Sequence, residues 1–83
     1  MTGQGTESLT APTLEVLRRV PSEWRAEEFV KHEISKATAT TMATVSQRLA
    51  HLREVHLVER RVAPRAPGFE VRRIAKAEEA GER

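Results

Sequence analysis

Three histidines, His32, His51 and His56, are the side chains of this chain best suited to metal ligation or to proton transfer near neutral pH. Their spacing argues against both uses. Two ligands on one helix face sit four residues apart, whereas His51 and His56 are five apart, which separates them around a helix, and His32 lies on a different segment. Cysteine is absent, so a disulfide framework, a thiolate zinc site and a Cys nucleophile are excluded, and a reducing cytoplasm is the simplest compartment. No Gly-rich phosphate loop and no Ser-based nucleophile motif occurs, and 83 residues leave room for one small core. Neither an enzyme nor a metal or other cofactor is expected, and no small-molecule ligand is evident.

The polar residues that remain favour binding over catalysis. The stretch "TMATVSQRLAHLREVHLVERR", Thr41 to Arg61, mixes hydroxyls, an amide and guanidiniums, the groups that hydrogen-bond base edges and phosphates. Between Arg48 and Arg73 seven arginines (Arg48, Arg53, Arg60, Arg61, Arg65, Arg72, Arg73) stand against three acids, Glu54, Glu59 and Glu70. With a sequence pI ≈ 9.7 this asymmetry suits a polyanionic partner. The formal net charge of +2 is modest for such a role, and a solvated basic surface is the plain alternative.

Those residues need elements to hold them. Residues 1–8 contain little to bury and read as a flexible arm. Thr10 before Ala11-Pro12 starts a first helix, with Leu14, Leu17 and Val20 on one face and Pro21 ending it. A second helix is expected from about Ala26 to Ile34, burying Ala26, Phe29, Val30 and Ile34, with Trp24 packed on the first helix. Thr40 or Thr41 caps a third helix, whose stripe of Met42, Val45, Leu49, Leu52 and Val55 ends before His56 in a left-handed conformation. "LVERRV" and "FEVRRI", separated by "APRAPG", form a two-stranded hairpin with Arg65 at its tip. Residues 75–83 are a charged tail, a frayed helix or disordered. No run of 18 apolar residues and no signal peptide is present, so no membrane partner is expected.

On the third helix, a rotation of about 100° per residue turns Ala43, Thr44, Gln47, Ala50, His51 and Glu54 away from a core-facing Val45, Leu49 and Leu52. Short residues at the leading end allow close approach to a major groove. Gln47 can read adenine, and Arg48 can read guanine or hold a phosphate. The helix N-terminus at Thr40 and Thr41 favours a phosphate. Ser46 joins this set, and Arg65 with Arg60, Arg61, Arg72 and Arg73 would lie along an adjacent groove or backbone. Glu54 opposes DNA, so only the first turns of the helix should enter.

Helix, helix, helix and hairpin is the order of a winged helix-turn-helix domain, and "TVSQRLAHLREVHLVERR" resembles the recognition-helix-to-wing segment of MarR-type and ArsR-type bacterial regulators. Those regulators usually have Gly where this chain has His56. The Phe29 to Val45 interval is also longer than their tight spacing, which calls for an extended second helix or a longer turn. The expected fold is mainly α with a small β-hairpin: a winged helix-turn-helix of three helices plus a two-stranded wing over residues 9–74. What the resemblance implies is a small transcriptional regulator that binds double-stranded DNA in a sequence-specific way. The alternative is a winged-helix interaction module that docks a polymerase, replication or other macromolecular partner. Homodimerisation is open, with Leu9 to Val20 or the tail as candidate interfaces.

Overall fold

The computed structural model describes residues 9–74 of the chain. Three helices and a three-stranded antiparallel sheet follow in the order α1 (Ala11–Arg19), β1 (Arg25–Ala26), α2 (Glu27–Thr38), α3 (Met42–Glu54), β2 (Val58–Val62) and β3 (Phe69–Arg73). The arm at 1–8 and the tail at 75–83 lie outside the described residues.

Helix α1 starts as its sequence dictates. The Thr10 hydroxyl accepts the Thr13 N–H and Pro12 occupies the first turn, where its missing N–H costs nothing. Val16, Leu17 and Val20 are buried, while Leu14 is only partly so, because the face in contact with the core is shifted toward Val16. From α2 come Val30 and Ile34, from α3 Val45, Leu49 and Leu52, and from the sheet side Leu57, Val58 and Val71. Each of these larger side chains contributes about 1.5–3 kcal/mol of burial. Val55 packs partly against the cluster, in keeping with its place at the end of the stripe.

Helix α2 runs one turn beyond Ile34, to Thr38, so the long interval before α3 is filled by extra helix and the turn itself is short. Ala39 adopts a left-handed conformation (φ 54) and the Thr40 N–H returns to the Ser35 carbonyl at 3.1 Å, the arrangement that usually recruits glycine. Thr41 then caps α3 by accepting the Thr44 N–H at 3.2 Å. The far end of α3 closes in the same way. His56 is left-handed (φ 64), its N–H bonds the Arg53 carbonyl and the Leu57 N–H bonds the Leu52 carbonyl, which also folds Leu57 back onto Leu52.

The sheet has a third strand beyond the two-stranded hairpin expected from the sequence. Strand order is β1-β3-β2, with Arg25 opposite Val71 and Ala26 opposite Glu70. Two residues carry no readable alternation, so this edge strand is set by pairing rather than by propensity. Ala26 consequently lies exposed in β1 instead of inside α2, and Phe29 is 53% exposed instead of buried. Val30 and Ile34 fix the inward face of α2, which Glu27 shares, whereas Phe29 lies about 100° from Val30 around the axis and points out. Trp24 is half-buried and lies against the Arg61 and Arg72 guanidiniums of the sheet, 4.2 and 4.7 Å from its ring.

Candidate nucleic-acid interface

Val45, Leu49 and Leu52 hold α3 in the core at 0–2% exposure, and this fixes its opposite face. Ala43, Gln47, His51 and Glu54 are exposed there, with Thr44 and Ala50 half-buried at its margins. The first turn of α3 contains no acid. The Thr41 hydroxyl, besides capping, donates to the Thr44 hydroxyl at 3.0 Å, so both side chains are engaged in forming the end of the helix. His51 lies 3.9 Å from Glu54, which keeps the acid near the last turn and away from the Gln47 end.

Arg48 and Ser46 flank this face on opposite sides, each about 100° from Gln47 around the helix axis. Arg48 is half-buried and makes no ion pair among the described residues. Ser46 turns toward α2 and accepts a hydrogen bond of 3.2 Å from Lys31, which also pairs with Glu28 at 3.3 Å. The sequence carries no signal for Lys31 at this site, because its position depends on how α2 crosses α3, which no spacing within α2 encodes. Thr40 is engaged in the turn: its hydroxyl donates to the Thr38 carbonyl at 3.0 Å and lies 2.7 Å from the Thr38 hydroxyl. Its role here is to shape the connection between the helices.

The arginines of the hairpin divide into two groups. Arg65 is exposed in the connecting segment and makes no ion pair among the described residues. The strand arginines are held within the fold. Arg61 pairs with Glu70 at 2.8 Å and Arg72 with Glu59 at 2.6 Å, each pair directly opposed across β2 and β3. Arg60 reaches Glu27 at 3.2 Å and stacks over Phe69 at 3.7 Å. Arg73 donates to the Arg18 carbonyl at 3.1 Å. Counting arginines in the sequence therefore overstated the free positive charge of the hairpin, because each sheet face matches arginine with an acid or an aromatic ring.

Among the described residues no group of three or more His, Cys, Asp or Glu side chains could hold a metal ion, and no helix is long and apolar enough to cross a membrane. Comparison with family models, with curated proteins and with solved structures finds no match.

Proposed function

We propose that this chain is a winged helix-turn-helix module that binds double-stranded DNA, with α3 entering the major groove and the β2–β3 hairpin acting as the wing. The observation that carries the reading is the α2–turn–α3 unit. A short turn at Ala39 and Thr40 presents a helix capped by Thr41, with an exposed Ala43–Gln47–His51 face and an acid-free first turn. Such a leading end fits a groove about 12 Å wide, where the Gln47 amide can pair with an adenine edge. The order of the strands supports the same reading, since β1 precedes α2 and caps the edge of the hairpin.

In this arrangement Arg48 and Arg65 supply the charge that meets phosphate, and the strand arginines brace the wing. Binding then rests on few phosphate contacts, so its salt dependence should be shallow, with a slope of about −2 to −4 in log K against log salt. A role as a small transcriptional regulator resembling the MarR and ArsR types is part of the proposal.

The test is a titration of fluorescent duplex DNA across several salt concentrations, repeated on a pool of random sequences. Enrichment of a motif, lost in the Gln47→Ala/Arg48→Ala variant, supports the reading. Absence of binding at low salt, or unchanged affinity in that variant, removes it in favour of a module that docks a protein partner. The exposed Val62 and Phe69 side chains on the wing are the observation that favours this second reading.

A further inference from the structure

Helix α2 has two flanks, one on each side of its core-facing Val30. Lys31 lies about 100° from Val30 in one sense around the axis and reaches Ser46 at 3.2 Å, so that flank belongs to the contact with α3. Phe29 lies about 100° away in the other sense, facing away from α3, and is 53% exposed. A cavity of about 240 Å³ opens there, lined by Arg19, Pro21, Arg25, Phe29, Val30 and Glu33. Arg25 and Glu33 stand on either side of Phe29 in sequence. Both are exposed, and neither makes an ion pair among the described residues.

An aromatic knob, a hollow beside it and unpaired charges of opposite sign to either side make a surface that can recognise itself. We propose that two copies of the chain associate through this flank of α2, antiparallel about a two-fold axis beside Phe29. Phe29 of each copy enters the cavity of the other, which is roomy enough, since about 150 Å³ holds a benzene ring. The same two-fold operation sets Arg25 opposite Glu33 of the second copy and Glu33 opposite its Arg25. Each of the four charges thereby gains the partner it lacks within its own chain.

This register brings no like charges together. Lys36 meets Ser22 of the second copy and His32 meets Ala26, while Arg19, the remaining charge at the cavity, is already held by Glu15 of its own helix at 2.7 Å. One flank of a 12-residue helix is a small contact by the standard of stable complexes, so the association should depend on concentration. Because the flank is turned away from α3, it leaves the Gln47 face uncovered. The inference does not rest on DNA binding, and its test contains no DNA.

The experiment is sedimentation equilibrium of the full chain over a range of concentrations, with circular dichroism to confirm that each variant keeps the helix content of the parent. A monomer–dimer equilibrium is expected, weakened at least tenfold by Phe29→Ala, whose ring stands outside the chain's own core. Arg25→Glu alone and Glu33→Arg alone should each weaken it about tenfold, since the two-fold axis repeats every repulsion. Mixed in equal amounts, these two variants should associate with each other about as tightly as the parent does with itself, because in the mixed dimer every pair is again acid against base. A chain that stays monomeric at every concentration overturns the proposal. So does a dimer that survives Phe29→Ala, or a mixture of the two charge variants that associates no better than either alone.

Discussion

Glu27, at the start of α2, and Arg60, in the middle of β2, form an ion pair at 3.2 Å that ties the second helix to the far strand of the sheet. Glu27 is 8% exposed and Arg60 lies over Phe69, so the pair is partly sheltered from water. A carboxylate there also stands in the first turn of α2, where the helix dipole favours it. Glu27→Ala should leave Arg60 without its acid and cost about 1–2 kcal/mol, less than for a fully buried pair because the guanidinium keeps access to solvent. Urea unfolding of the variant beside the parent chain measures this, and an unchanged midpoint would show the pair to be energetically neutral.

The turn between α2 and α3 carries a strained residue. Ala39 at φ 54 pays the left-handed penalty that glycine avoids, while glycine would give back part of the gain through a freer unfolded chain. Ala39→Gly should therefore stabilise the domain by about 0.5 kcal/mol, raising Tm by about 2–4 °C. Ala39→Val, branched at Cβ, should lower it. Thermal unfolding followed by circular dichroism decides both, and the pair of variants separates backbone strain from loss of a side chain.

Gln47 is the exposed amide on the leading half of α3, and its side chain takes no part in the core. Gln47→Ala should leave Tm within about 1 °C of the parent while weakening binding to a selected duplex by about 1–3 kcal/mol and relaxing preference at one base position. Affinity for random duplex should change much less. A variant that loses selected and random duplex equally would place Gln47 on the backbone rather than on a base edge.

Arg65 and Arg61 should behave differently despite lying four residues apart on one hairpin. Arg65→Ala removes an exposed guanidinium with no internal ion pair, so it should weaken all duplexes alike and reduce the salt slope by about one, without altering stability. Arg61→Ala breaks the contacts with Glu70 and Trp24, so it should change Trp24 fluorescence and lower stability by about 0.5–1 kcal/mol while changing the salt slope little. Salt-dependent titrations and urea unfolding of the two variants are the comparison to make.

Three helices and a hairpin were legible in the residues themselves because their signals are local. Thr10 and Thr41 cap the helices they precede, Val45, Leu49 and Leu52 recur at helical spacing, and Pro and Gly68 punctuate the strands. Even the left-handed His56 followed from the end of an apolar stripe. The exposed face of α3 came with that stripe, since burying one side of a helix determines the other.

What tertiary structure decided was everything that depends on a partner distant in sequence. The two-residue strand β1 exists only because β3 offers an edge, and its formation places the start of α2 at Glu27. Phe29 faces outward because the core takes the Val30 and Ile34 side of α2. Ser46 turns to Lys31 because of how two helices cross. The strand arginines had the composition of a binding surface, but register places Glu59 opposite Arg72 and Glu70 opposite Arg61, and a charge satisfied across a strand pair offers less to a ligand. Composition counts charges one at a time, whereas pairing across the sheet determines which of them remain free.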